Sequence, residues 1–517
     1  MIWGAEMRRN AVFAVGTAAA GVLIAAPLAP AATPTDSTEL REAVTTAGIM
    51  EHLTAFQEIA DENGGTRASG TPGYDASLAY VKDLLDAAGY QTTVQEFLFD
   101  TFEELAAPTF ERVSPAPATY AEGDDFLTME YSGSGDVTGT LVPTNDILIP
   151  PPSQPGSTSG CEAADFAPAS ATEPQVALVQ RGSCDFTVKA ANAQAAGYDA
   201  VVIFNEGQEG RTEAVAGTLG ADTEATIPVL GASFAVGADL YARTQTGPVT
   251  VHIETSTLIT HDVPTANLLA TTGEGRGDRQ VVVGAHLDSV AEGEGINDNG
   301  SGSAQNLEIA LQLAELDVTP RNQIVFAWWG AEESGLIGSQ FYVDSLTPRE
   351  VKNTAVNLNF DMVGSPNYVR FVYDGDASDT DSLGSTGSGV VEDVFTDYFA
   401  GQGLESEPTA FDGRSDYDAF ISVGIPAGGL FSGAEGVKTA EQAAIYGGTA
   451  GVAYDPCYHA ECDDIGNLSE QALDEFSDAA AHATLTFAMT TSAIEGTGKG
   501  TATGQSEPLF RGPHLRR

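Results

Sequence analysis

The sequence predicts an α/β protein: a mixed, mainly parallel central sheet flanked by helices, interrupted by a β-rich insertion. Three observations carry this. Strand-like and helix-like periodicities alternate along residues 260–493, as they do in strand–helix–strand units. Two amphipathic helices and a strand occupy 36–105. Between these stretches, 106–256 turns to short β-like runs broken by Pro, Gly and Ser, including Pro150-Pro151-Pro152. One α/β domain formed by 36–105 and 260–493, with 106–256 inserted, is the simplest account.

The elements follow in order. Arg8-Arg9, an apolar run from Ala11 to Leu28 and Ala29-Pro30-Ala31 read as a signal peptide over 1–31, with Ala32 as the first mature residue and Met7 as an alternative start. A spanning helix needs about 20 consecutive apolar residues, so secretion to the extracellular medium is the expectation, with no membrane association after cleavage. Thr33 to Glu39 read as a poorly ordered leader. A helix is expected over Ile49–Asn63, with Leu53, Phe56, Ile59 and Ala60 on one face, ended by Gly64-Gly65. A second runs over Tyr74–Ala88, with Leu78, Val81, Leu84 and Leu85 inward and Gly89 capping it. A strand follows at Gln91–Phe99. After the insertion come strand Gln280–Ala285, helix Ser303–Leu316, strand Ile324–Trp329, helix Leu336–Ser345 and strand Ala355–Phe360. Residues 494–517 read as a flexible tail, with Arg511, His514, Arg516 and Arg517 near its end.

Composition narrows the function. In 517 residues there are 73 acidic and 22 basic side chains, a formal net charge of −51; like charges repel, which argues against nucleic acid or an anionic membrane as partner. Four cysteines suit an oxidising compartment, and their positions suggest local pairs: Cys161 with Cys184, and Cys457 with Cys462.

Chemistry is expected at strand ends, where open α/β sheets bind ligands. Gln280 to Ala285 runs into His286-Leu287-Asp288. Ile324 to Trp329 runs into Gly330-Ala331-Glu332-Glu333. Asn357 to Phe360 runs into Asp361, and Asp298 stands in a Gly-rich loop ahead of a helix. One such Asp is ordinarily a cap and one Glu-Glu pair a solvated face. Together with His286, one of seven histidines, they form a nitrogen-and-oxygen set suited to zinc.

These segments resemble the bacterial secreted aminopeptidases of the co-catalytic di-zinc exopeptidase family. The likeness runs through Gly284 to Val290, Gly295 to Asp298, Ala327 to Glu333, Asn359 to Gly364, Asp412 to Asp416, Gly428 to Phe431 and Cys457 to Cys462. The resemblance implies a zinc exopeptidase-like fold with two zinc ions per chain: His286 and Asp361 on one, Glu333 and His459 on the other, and Asp298 bridging. Glu332 would be the general base, Tyr458 a donor to the oxyanion, and Asp288 would orient His286 from behind. The peptide after Asp298 is cis in the family; Asn299 stands where relatives often have Asp.

The same resemblance implies peptide or protein substrates with a free N-terminus, whose α-ammonium meets Glu332 and Asp361. Arg414 and Phe431 would line the first side-chain pocket, where an apolar wall suits Leu. Relatives' Asp-His-Ala-Pro-Phe is Asp416-Tyr417-Asp418-Ala419-Phe420 here, which leaves that preference open. Cys457 and Cys462 would position Tyr458 and His459 in a small loop. Some relatives bind calcium through two aspartates matching Asp474 and Asp478, although the N-terminal position reads Ala43-Val44, beside Glu42.

The insertion resembles a protease-associated (PA) domain, on Cys161 to Phe166, Val176 to Phe186 and Lys189 to Asn205. Such modules carry no catalysis and restrict access or bind partners. Asn299-Gly300-Ser301 and Asn467-Leu468-Ser469 match the glycosylation pattern by chance, since the first falls inside the metal site. The expected activity is a monomeric metalloaminopeptidase. Alternatives are a single-zinc glutaminyl cyclase or carboxypeptidase on this fold, or a non-enzymatic binding protein. A Ser-His-Asp hydrolase lacks its nucleophile-elbow pattern.

Overall fold

The central sheet has 14 strands, and its order explains how an insertion interrupts the α/β domain without breaking it. A computed structural model describes residues 35–496 apart from 209 and 381. The expected signal peptide and the 497–517 part of the tail lie outside the described residues.

Strand Arg276–His286 lies at the centre, parallel to Asn322–Trp329 on one side and Thr354–Phe360 on the other. Thr354–Phe360 pairs in parallel with Ala427–Phe431. All three central strands are buried where they approach the site, as both faces of a covered parallel sheet require. Helices Thr46–Glu62, Pro72–Ala87, Gly302–Glu315 and Glu470–Met489 pack over the strands through one apolar core.

Strand Thr250–Thr271 joins the two parts. Its Leu268–Thr271 end pairs with Asn322–Trp329, while Thr250–Thr255 pairs with Gly135–Pro143 of the inserted module. Along nearly its whole length it pairs antiparallel with Gln91–Ser114. The expected strand Gln91–Phe99 therefore continues 15 residues further, across the anticipated start of the insertion at 106. Residues 103–107 are exposed on both faces, so this ribbon has no apolar alternation for a periodicity argument to detect. Within the module, Gln175–Gln180, Ala200–Phe204 and Val229–Ala232 continue the sheet.

Other boundaries shift by capping chemistry. The expected helix at Tyr74 begins at Pro72, because the Thr71 hydroxyl accepts from the Tyr74 amide and Pro72 takes the first turn, where no intrahelical N–H is needed. The expected leader is partly helical: Thr38–Ala43 form a turn and a half with Leu40 buried. The first residues of the expected tail fall in a short helix, Ser492–Gly496. Both anticipated disulfides are present, Cys161–Cys184 and Cys457–Cys462.

The aspartates expected to bind calcium make side-chain bonds with the N-terminal helices. Asp478 accepts from Arg41 Nη1 at 3.1 Å and from Tyr398, and Asp474 accepts from the Thr46 hydroxyl. Among the described residues neither belongs to a group of three ligand side chains. Arg41, on the N-terminal helix, forms an ion pair with Asp478.

Candidate active site

Three strand ends deliver the side chains, and the backbone is strained where they do so. Ala331, directly before Glu332, has φ +53°; Met362, directly after Asp361, has φ +54°; His459 itself has φ +55°. Left-handed backbone at residues with a Cβ persists only where surroundings over-determine it. Gly302 opens the helix behind the site, and a Cβ there would lie 2.2 Å from the Phe360 carbonyl. Only glycine lets the helix approach so closely.

The expected donors come together. His286, 1% exposed, places Nε2 3.3 Å from Asp298 Oδ1 and 3.3 Å from Asp361 Oδ1. His459 Nε2 lies 3.2 Å from Asp298 Oδ2 and 3.1 Å from Glu333 Oε2. The two oxygens of Asp298 are thus divided between two imidazoles. Donor atoms of His286, Asp298 and Asp361 fall within 4.8 Å of one another, as do those of Asp298, Glu333 and His459 and those of His286, Glu332 and Glu333.

Electrostatics favours cations between these groups. Burial pushes Glu332 well above the usual carboxylate range and raises Glu333 too. Burial opposes charge on the imidazoles, yet Glu332 and Asp361 around His286, and Glu333 and Asp298 around His459, hold both well above the ordinary histidine value. Glu333 Oε1 is buried with no hydrogen-bond partner, a cost that a cation would remove. Carboxylate oxygens and imidazole nitrogens in two overlapping triads fit a pair of divalent ions, with zinc favoured by the histidines.

Supporting residues surround the donors. Asp361 Oδ2 accepts from Ser415 Oγ at 2.6 Å. Asp288 works on both neighbours: its carbonyl is 3.1 Å from His286 Nδ1, while its carboxylate accepts from the amides of Glu332 and Glu333 at 3.3 and 3.4 Å. The expected orientation of His286 thus comes from the carbonyl, since the nearer carboxylate oxygen is 3.7 Å away. Tyr458 stacks on His459 with centroids 3.9 Å apart. Arg414 donates from Nη2 to the Tyr458 oxygen at 3.2 Å and is paired through Nη1 and Nη2 with Glu435. Asn299, completely buried, donates to the Phe360 carbonyl and accepts from the Gly302 and Met362 amides. An ionised aspartate could not make the first bond. The Asp298–Asn299 peptide is cis. Asn467, at the second sequon, is 7% exposed and donates to Asp455 and Asp463.

Sequence reasoning missed two groups beneath the site. Asp463 accepts from the amides of Asn297 and Asp298, each at 2.9 Å. Arg67, completely buried, donates to the carbonyls of Glu294, Leu287 and Gly295 at 2.8, 2.5 and 2.5 Å. Burial lowers its guanidinium to about 10, with Asp463 and Asp288 opposing. The Gly-rich Asp298 loop is the one sequence signal for such a clamp, which adds to the loop's own Asn297 and Asn299 side-chain bonds.

The site opens on a cavity of about 370 Å³ lined by the donors, Tyr458, Arg414, Phe431 and Asp418. Glu130, Tyr131 and Thr218 of the inserted module also line it, which the sequence did not reveal.

Fold and site together define a class: an exopeptidase-type α/β fold carrying imidazole and carboxylate donors at the carboxyl ends of its strands. Residues 267–484 match the family model described as Peptidase family M28, and 137–240 match that of the PA domain. An aminopeptidase of Pseudomonas aeruginosa is 45% identical over 87% of this chain and 82% of its own length. A probable leucine aminopeptidase 2 of Aspergillus fumigatus is 38% identical over 82% and 79%. The chain belongs to peptidase family M28 and contains an inserted PA domain. Its fold is that of an aminopeptidase from Aneurinibacillus sp. strain AM-1 (TM-score 0.67, 23% identity, covering 87% of this chain and 95% of that one). A zinc aminopeptidase from Bacillus subtilis shares it, with TM-score 0.55 and 24% identity over 85% and 94%.

Proposed function

We propose that this chain is a secreted zinc aminopeptidase that hydrolyses the N-terminal bond of peptides and accepts large apolar first residues such as Leu. The single observation that carries this reading is the division of Asp298's two oxygens between His286 and His459. One carboxylate shared by two imidazole-containing triads is the ligand geometry of a paired-metal hydrolytic centre. His286 and Asp361 would hold one zinc, Glu333 and His459 the other, with Asp298 common to both. When bound, the pair supplies Lewis acidity and a deprotonated water at neutral pH.

The chain's own residues do the rest. Glu332, within 4.8 Å of the His286 and Glu333 donor atoms but assigned to neither zinc, removes the proton from the attacking water and passes it to the departing amine. Tyr458 donates to the oxygen that becomes anionic; because its own oxygen accepts from Arg414, its proton is left for the substrate. Glu332 and Asp361 face the α-ammonium, which selects a free N-terminus. Phe431, Leu336 and Ala434 supply apolar wall, and the leucine aminopeptidase names of the fungal relatives support the same preference. Two disulfides suit an extracellular destination, and among the described residues no helix is long and apolar enough to cross a membrane.

The test is hydrolysis of leucyl-p-nitroanilide against its N-acetyl form, with chelator and zinc add-back. Cleavage of the free amine alone, lost on chelation and restored by zinc, is expected. Cleavage of both compounds would overturn the exopeptidase assignment.

A further inference from the structure

Asp418 is a buried carboxylate without a partner, facing the substrate cavity. It sits on helix Tyr417–Ser422, whose first turn packs behind Ser415, the residue that holds Asp361. It is 6% exposed and lines the cavity with Thr409, Ala410, Ala419 and Phe431. Among the described residues no hydrogen bond or ion pair reaches its side chain, and its amide is satisfied by the Ser415 carbonyl. Burial, with Asp412 adding to it, raises its pKa to about 6, so it is ionised at neutral pH.

The local groups that could neutralise it are committed elsewhere. Arg414 is the one guanidinium or ammonium lining the cavity among the described residues, and it is paired with Glu435 and bonded to Tyr458. Asp412 accepts from the Tyr417 hydroxyl and the Arg414 amide. An ionised carboxylate held nine-tenths out of water with no counter-charge is costly. It is tolerated where a ligand supplies the charge.

We propose that Asp418 adapts this cleft to N-terminal lysine and arginine, in addition to the apolar residues its walls accept. The alkyl stem of such a residue runs along Ala410, Ala419 and Phe431, and its cationic head pairs with the Asp418 carboxylate. This rests on the aminopeptidase reading above and adds a substrate class to it.

Norleucine has the stem of lysine without the ammonium, so the ratio of kcat/KM for lysyl- over norleucyl-p-nitroanilide isolates the charge. In the wild type the lysyl compound should be cleaved at least as well as the norleucyl one. In Asp418→Asn the ratio should fall by about 30-fold or more, the scale for breaking a buried charge pair. An unchanged ratio overturns the proposal. So does a wild type that cleaves the norleucyl but not the lysyl compound, or a variant whose change follows lysine at the second position of a dipeptide instead of the first. A wild type that cleaves neither anilide overturns the aminopeptidase reading itself. If the variant does not fold, the wild-type ratio and competitive inhibition by free lysine against free norleucine decide the matter.

Discussion

Replacing Arg67 with methionine removes three hydrogen bonds to backbone carbonyls and leaves those of Leu287 and Glu294 without this donor, while the Gly295 carbonyl keeps the Gly300 amide. The guanidinium reaches Leu287, next to His286, and Glu294 and Gly295 at the mouth of the Asp298 loop. Each hydrogen bond from a charged group contributes about 1.5 to 3 kcal/mol. Discounted for non-additivity and for the desolvation that a buried cation no longer suffers, the loss is about 3 to 5 kcal/mol. Because the bonds join the strand end holding His286 to the loop holding Asp298, part of that loss falls on the separation of the proposed ligands. Zinc affinity and kcat should fall together, and the melting temperature of the metal-free protein should fall as well. Lysine at this position should rescue little, since one ammonium cannot fork across three carbonyls. The assay is zinc titration, scanning fluorimetry and leucyl-anilide kinetics on wild type, Arg67→Met and Arg67→Lys. An Arg67→Met protein that loses stability but keeps wild-type zinc affinity and kcat would refute the clamp and leave Arg67 as scaffold only.

Two other predictions follow from single groups. Glu332→Gln keeps the shape of the site but cannot carry the proton; kcat should drop by about 10²- to 10⁴-fold with zinc content unchanged, and metal analysis of the variant distinguishes this from ligand loss. Lys189 in the PA domain is fully buried, and burial lowers its ammonium from 10.5 to about 8. Between these values the unfolded chain holds a proton that the folded chain has released, so this group's contribution to stability rises with pH across that window and its penalty is complete below about 8. Urea midpoints from pH 7.5 to 10 should therefore climb more steeply in wild type than in Lys189→Met, and parallel curves would show that the ammonium is not desolvated.

What could be read from the sequence is what is local in the chain. His286, Glu332, Glu333 and Asp361 each end an apolar strand, so the fold rule for parallel sheets aims them at one place. His459, inside the Cys457–Cys462 loop, came instead from the family resemblance. Helix starts moved by two or three residues where a cap such as Thr71 or Thr45 outweighed the hydrophobic period. What could not be read depends on contacts between distant segments. Arg67 meets partners more than 200 positions away, and nothing in its own neighbourhood marks it as buried beneath the site. Asp463 looks like one of many acids in a chain with 73 of them. Asp418 stood out as a departure from its relatives, but a carboxylate is remarkable only when every possible partner is shown to be engaged elsewhere.

The ribbon of Gln91–Ser114 and Thr250–Thr271 illustrates the same limit with a functional consequence. Its middle is exposed on both faces, so no hydrophobic pattern marks it. Yet it is one continuous antiparallel pair from the sheet of the peptidase domain to that of the PA domain, which lets the module reach back over the site. Tyr131, on a left-handed backbone at φ +59°, bonds through its hydroxyl to the carbonyl of Asp100 within that ribbon and lines the cavity with Glu130. The cleft wall is thus shared between two domains that are joined by paired strands with register shifts near Phe99, Ala106 and Arg112 rather than by a loose linker.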